Sequence, residues 1–289
     1  MFRVILLFLI GISLIYLLPP MAVDAKVLGY WTFDDQKKLG QDLSHFRNDG
    51  ELKAGAWTRQ GKVGGALNLT GGGDQAPHYF EVPHDNSLNV KDQVTLMCWI
   101  SFSGPAEEQS LIYKNGPFIL EGDKKDRAFW SSYGLVKWRD RCACGTFGFD
   151  ANTEGGRSAV LPGDPLIPEP NDWHHVAAVA DGTEIKIYRD GKERAKGAQR
   201  GPFRNSEQVL TIGYDHRVPV DRVGGARRHL RGTIDEVMIL DQALTPDQIQ
   251  EAFNLGEKGK SLTDMPQIFS VETEGKLATQ WGALKARRQ

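Results

Sequence analysis

DWHHVAAVADGTEIKIYRDGKE, residues 172–193, sets two apolar-rich runs on either side of an Asp-Gly pair. HHVAAVA (174–180) and TEIKIYR (183–189) have strand length, and Asp181-Gly182 supplies the positive φ that a tight hairpin turn demands. The stretch from Val176 to Arg189 therefore reads as an antiparallel hairpin, with Asp190-Gly191 marking the next turn.

The same grammar extends in both directions from Lys26 to Leu240. VLGYWTF (27–33), YFEVP (79–83), QVTLMCWISF (93–102) and EQVLTIGY (207–214) are further runs rich in Val, Ile, Thr and aromatics, split by Gly, Asp, Asn and Pro. Helical periodicity is nearly absent before residue 245, so the expected fold is all-β, two stacked antiparallel sheets of short strands. One change of grammar follows. Thr245 fits an N-cap, Pro246 the first helical position, and Gln248 the partner place of a capping box. Leu244 and Ile249 are spaced as a hydrophobic staple, and Gly256 is a natural stop, which predicts a helix over 246–255 packed on the sandwich. Further on, Leu277, Trp281 and Leu284 share one helical face, a second docked helix or a partner-docking segment.

The first 25 residues read as an export signal: Arg3 precedes an apolar run from Val4 to Leu18, Pro19-Pro20 ends it, and Val23-Asp24-Ala25 offers a cut before Lys26. The run is short for a membrane span, which takes roughly 20 apolar residues. The expected division is a signal over 1–25, a sandwich over 26–256 and an extension over 257–289. The location is then secreted, cell-surface or periplasmic, with an N-terminal membrane anchor as the alternative. The formal net charge of −2 gives no reason to expect nucleic acid as a partner. Of three cysteines, Cys98 alternates with Val94, Leu96, Ile100 and Phe102 and reads as a core thiol; Cys142 and Cys144 lack nearby soft ligands for a metal, and a disulfide stays open.

Catalytic chemistry is poorly supplied. GTIDEVMILDQALTPDQIQ (232–250) sets Asp235 beside Glu236, but neighbours on a regular strand point to opposite faces. A glycosidase needs two carboxylates converging about 5 Å apart, or about 6.5–9.5 Å apart. His174-His175 diverge by the same rule, and no nucleophile elbow or phosphate loop is present. Hard-oxygen chemistry is better placed. Asp34 at the end of the first strand and Asp235 in the last would close around one calcium ion if those strands pair, or else cap loop amides. In AFWSSYGLVKWRDRC (128–142), Trp130, Tyr133 and Trp138 are candidate stacking rings for a sugar, or core residues.

YWTFDD with DLSHFRNDGEL, GKVGGALNLTGGG with YFEVP, VTLMCWISF, DWHHVAAVADGTEIKIYRDGKE with LTIGYD, and GTIDEVMILDQALTPDQI come in an order that resembles a LamG-like jelly-roll domain. That family is the laminin-G and pentraxin relative of the concanavalin A-like lectin/glucanase sandwich, and the resemblance runs from Val27 to Gly256, about four fifths of the chain. It implies a non-catalytic domain that binds carbohydrate or an extracellular protein, with a structural calcium on Asp34 and Asp235 and loop oxygens from Asn48 or Gly50. The chain departs from pentraxins where Ala177 and Ala178 stand in place of the cysteine that would pair with Cys98. The alternatives are a divergent hydrolase or lyase on the same sandwich, or a structural, adhesive envelope protein.

Overall fold

The computed structural model of the chain describes residues 27–72, 76–103, 108–116, 131–138, 146–161, 171–216, 228–265 and 268. In chain order the strands are β1 (Val27–Trp31), β2 (Glu51–Ala54), β3 (Ala56–Thr58), β4 (Ala66–Asn68), β5 (Tyr79–Val82), β6 (Gln93–Phe102), β7 (Gln109–Asn115) and β8 (Ser131–Trp138). They continue as β9 (Thr146–Thr153), β10 (Gly156–Val160), β11 (Trp173–Asp181), β12 (Glu184–Arg189), β13 (Lys192–Ala198), β14 (Leu210–Ile212) and β15 (Gly232–Leu240). One helix, α1 (Pro246–Glu257), follows.

Two antiparallel sheets result. The larger runs β13-β12-β11-β6-β15-β4-β3, with β1 also on β15; the smaller runs β10-β9-β8-β7-β14-β5-β2. The hairpin pairs Val176 with Arg189 and Ala180 with Ile185, as Asp181-Gly182 predicts. At the next turn Asp190 and Gly191 both take positive φ, 51° and 74°, the two-residue geometry that Asp-Gly favours. First and last strands pair, Trp31 opposite Val237 and Val27 opposite Leu240.

The main core lies between the sheets, where alternating residues such as Leu96, Cys98 and Ile100 of β6 meet Tyr133, Leu135 and Phe149. Cys98 is a free, fully buried thiol, and burial pushes it well up from its ordinary range. A second core covers the outside of the larger sheet, where Tyr30, Met97, Met238 and Tyr188 pack under Leu244, Ile249 and Ala252. Burying Ile249 alone is worth about 1.5–3 kcal/mol.

The helix starts as its sequence dictates. Gln248 N–H donates to Thr245 Oγ1 (3.3 Å), and Thr245 N–H donates to Gln248 Oε1 (2.9 Å). Its end differs from expectation. Gly256 lies inside the helix, where a Cβ would come 2.3 Å from Trp99 Nε1, and Gly259, at φ 65°, makes the reversal instead. The packed unit also passes residue 256: Leu262, Met265 and Ile268 are buried in the second core.

Candidate ligand-binding face

The adjacent acids of β15 do not obey strand alternation. Asp235 pairs with Trp99 and Met238 with Met97, so Glu236 and Val237 together oppose Cys98 in a β-bulge, with Glu236 at φ 50°. The bulge turns both carboxylates to the helix-covered side, against the expectation of opposite faces. Asp235 shares that side with Trp99, which stacks on Phe253 of α1, and Glu236 meets Tyr30 and Leu262.

Both acids are buried. Asp235 Oδ2 accepts Val63 N–H (2.9 Å), and Oδ1 accepts Glu236 N–H (2.7 Å). Burial first, then the Glu236 charge, raises its carboxyl well above the usual range. Glu236 Oε2 accepts from the Tyr30 hydroxyl and from Leu262 N–H (3.1 Å), while Oε1 is buried with no partner among the described residues. Burial pushes Glu236 up to about 7.

Asp34, exposed, approaches the same loop from the other side, its Oδ1 accepting Gly65 N–H (3.0 Å). Loop 61–65 is thus clasped by Asp34 and Asp235, and a Cβ on Gly64 (φ 65°) would meet Asp34 Oδ1 at 2.1 Å. Asn48 and Gly50 belong to another loop and do not join them. That loop is organised by buried Asp42, which accepts Tyr30 N–H (2.8 Å), Ser44 N–H (2.8 Å), Asn48 N–H (2.7 Å) and the Ser44 hydroxyl (2.5 Å). Asn48 Nδ2 is spent on the Leu28 carbonyl (2.7 Å) and Ser87 Oγ (2.9 Å), and Gly50 lies against the Phe80 ring. Among the described residues, no group of three or more His, Cys, Asp and Glu side chains is arranged to hold a metal. An ion on Asp34 and Asp235 would draw its other oxygens from backbone and solvent, which calcium accepts.

The outside of the smaller sheet is built differently. One register row crosses all seven strands: Ala159, Asp150, Gly134, Tyr113, Thr211, Glu81, Glu51. Its centre is buried: Tyr113, Thr211 and Asp150 are almost fully covered, and rings pack on the glycines, so that a Cβ on Gly134 would strike the Tyr113 ring at 2.5 Å and one on Gly148 would meet Trp138 at 2.9 Å. At one end Tyr79, Tyr214 and His216 form a ring cluster with centroids 5.1–5.6 Å apart, all partly or fully open to solvent. Beside the rings, Glu81 lies 3.5 Å from both Lys53 Nζ and His216 Nε2. Burial and then the Glu81 charge raise the Tyr79 phenol, which therefore stays neutral.

At the other end Trp138 is half-buried, with the guanidinium of Arg228 at 4.6 Å and that of Arg157 at 5.3 Å from its ring. Arg157 bonds Asp150 (2.7 Å), and Arg228 bonds Glu108 (2.6 Å) with Asp215 at 3.8 Å. Of the rings expected to stack on sugar, two are described, and of these Trp138 lies on this face. Tyr133 is a core residue whose hydroxyl donates to the Leu88 carbonyl (2.8 Å), which leaves no ring face for a ligand. Trp130 lies outside the described residues, as do Cys142, Cys144, Leu277, Trp281 and Leu284. The exposed rings were readable in part, since Tyr79 opens the alternation of YFEV and Tyr214 follows LTI, but their meeting depends on the β5-β14 register.

Of the strand-borne acids of the row, Glu81 and Glu51 are direct cross-strand neighbours that share Lys53, and Asp150 stands far from both. Asp150 and Glu81 are separated by four strand spacings of about 4.8 Å, roughly 19 Å, against about 5–9.5 Å for a glycosidase pair. His175, the second of the adjacent histidines, is buried on β11 against Trp99 and Phe253, and burial lowers it to about 4.

Residues 73–250 match the family described as the concanavalin A-like lectin/glucanases superfamily. No curated protein matches the chain. Among solved structures, it is similar to domain 4 of AbnA, a GH43 extracellular arabinanase from Geobacillus stearothermophilus, in complex with arabinotriose. Identity is 18%, with 79% of this chain and 98% of that one covered, at a TM-score of 0.56. It is also similar to the binding domain of Paraclostridial Mosquitocidal Protein 1 (13% identity, TM-score 0.57) and to the receptor binding domain of botulinum neurotoxin D (12% identity, TM-score 0.53). In these two the match covers 79% of this chain and 52% of theirs.

Proposed function

Since the chain belongs to the concanavalin A-like lectin/glucanases superfamily, we propose that it is a non-catalytic module that binds carbohydrate on the outside of its seven-stranded sheet. The observation that carries this reading is the open cluster of Tyr79, Tyr214 and His216 beside Glu81 and Lys53. Rings supply apolar faces for sugar stacking, and the flanking carboxylate and amine supply hydrogen bonds that fix orientation. The wide separation of Asp150 and Glu81 argues against their acting as a hydrolytic pair, and the neighbouring Glu81 and Glu51 are both engaged by the Lys53 ammonium. The arabinotriose bound in the AbnA domain and the receptor-binding role of the botulinum neurotoxin D domain support a binding role; the likeness itself speaks to fold alone.

Export belongs to the same proposal, supported by the Val4–Leu18 run and the small residues before Lys26. So does one stabilising calcium on Asp34 and Asp235, which would supply positive charge to a buried acid cluster; Lys62, on the loop these acids clasp, is engaged by Glu257 and the Trp99 ring. A glycan array probed with the full chain tests the proposal. Binding to at least one oligosaccharide, with no reducing ends released on prolonged incubation, is the expected result; release of reducing ends would make it an enzyme.

A further inference from the structure

The polar groups beside the open rings select a pattern of hydroxyls, an inference that rests on the carbohydrate-binding reading above. Tyr79 and Glu81 are two residues apart on β5, so both side chains rise from the same face, about 7 Å apart along the strand. Glu81 Oε1 lies 3.5 Å from Lys53 Nζ, and Oε2 lies 3.5 Å from His216 Nε2. Both gaps exceed the roughly 2.7–3.2 Å of a direct N–H···O hydrogen bond. The Lys53 ammonium makes its short contact with Glu51 instead (2.7 Å). Each Glu81 oxygen therefore faces a donor at a distance that leaves lone-pair room for another hydrogen. Beside a carboxylate the imidazole keeps a proton on Nε2, because a lone pair there would face negative charge. The side chains of Lys53, Glu81 and His216 are 34%, 23% and 40% exposed, so a ligand from solvent reaches all three.

We infer that this trio reads a vicinal diol, two neighbouring unsubstituted hydroxyls on one sugar ring. One hydroxyl donates to Glu81 Oε1 and accepts from Lys53 Nζ; its neighbour donates to Oε2 and accepts from His216 Nε2. A hydroxyl suits each position because one oxygen both donates and accepts. Hydroxyls in gauche orientation on adjacent carbons converge on the two oxygens of one carboxylate, whereas a trans-diaxial pair diverges. A glycosidic or ether bond at either position removes a donor and leaves half of the trio unmet. The Tyr79 ring, on the same strand face, is in reach of that sugar's apolar side, and Tyr214 and His216 pack against it at 5.2 and 5.6 Å.

The test sets the full chain against linear glucans, galactans and xylans, each in (1→3) and (1→4) linkage and of matched length, by affinity electrophoresis. Within each pair the sugar, its ring and its charge are the same. Residues inside a (1→4)-linked chain keep free hydroxyls on their second and third carbons, whereas a (1→3) link occupies the carbon between the two that stay free. At least one (1→4)-linked polymer should bind, with its (1→3) counterpart about tenfold weaker, the effect of one hydrogen bond lost to a charged acceptor. Glu81→Gln, measured on the tightest-binding glycan, removes the two-sided acceptor. Affinity should fall about tenfold and the linkage gap should narrow, with the melting temperature held, since both ion-pair contacts are long and partly exposed. Equal binding of the two linkages, preference for the (1→3) form, or an affinity that ignores Glu81→Gln would overturn the inference while leaving carbohydrate binding intact. Failure of all these polymers and of every array glycan to bind would instead remove the reading on which it rests.

Discussion

Replacing Glu236 with Gln should stabilise the protein, increasingly from about pH 4.5 and fully above about pH 7. Burial holds the Glu236 carboxyl at about 7 in the folded chain, against 4.5 for the free group. Between those values the folded state keeps a proton that the unfolded state has released, so this group's contribution to stability falls as pH rises from 4.5 to 7 and then levels off. A shift of about 2.5 units corresponds to about 3 kcal/mol. Gln keeps the shape and can still accept from Leu262 N–H without carrying charge into the bulge. The melting temperatures of the two proteins should coincide near pH 5, and Glu236→Gln should melt roughly 6–12 °C higher at pH 8, at about 2–4 °C per kcal/mol for a domain of this size. The difference between the two curves is the informative quantity. Buried His175, lowered to about 4, contributes with the opposite sign over pH 4–6.5 and flattens the curve of the unmodified chain. A difference that is the same at pH 5 and pH 8, or larger at pH 5, would refute the reasoning.

Other substitutions report on other parts of the structure. Asp42→Ala leaves the buried N–H groups of Tyr30, Ser44 and Asn48 without their acceptor and should cost about 3–5 kcal/mol by urea unfolding, with Asp42→Asn costing less. Gly64→Ala forces a Cβ into Asp34 Oδ1 at positive φ, and calorimetry should show a loss of about 1–3 kcal/mol. His175→Phe should be better tolerated at pH 4 than at pH 7 relative to the unmodified chain, because it removes a buried group that must protonate in acid; equal effects at both would argue against the burial assigned to His175. Chelation should lower the melting temperature if calcium sits on Asp34 and Asp235, and a melt indifferent to both EDTA and added calcium removes the ion from the proposal.

The elements that the sequence announced are those whose signals are local. Asp190-Gly191 specifies its turn through positive φ at both residues, Asp181-Gly182 through positive φ at Gly182 and an Asp181 carboxylate that accepts Thr183 and Glu184 N–H, and Thr245-Pro246 with Gln248 specifies a helix start through hydrogen bonds within one turn. The bulge at Asp235–Glu236 had no such signal, because a non-glycine residue at positive φ is held there by its surroundings, and alternation assumes a regular strand. The extent of the domain was partly legible: Leu262, Met265 and Ile268 recur every three residues, but only the second core shows that they are covered. The ring cluster was hidden for a different reason. Tyr79 and Tyr214 are 135 positions apart, and they meet only because β5 and β14 pair with Glu81 opposite Thr211. Conversely, Tyr133 sat in the most aromatic stretch yet alternates inward, so composition misled where register decides.

The most direct measurement is calorimetric titration of a bound oligosaccharide into the unmodified chain and into Tyr79→Ala, Tyr214→Ala and Tyr133→Phe. Loss of either open ring should weaken binding at least tenfold with the melting temperature nearly unchanged, whereas Tyr133→Phe should lower the melting temperature and leave affinity alone. Affinity unaffected by Tyr79→Ala and Tyr214→Ala together would place the ligand elsewhere and contradict the account.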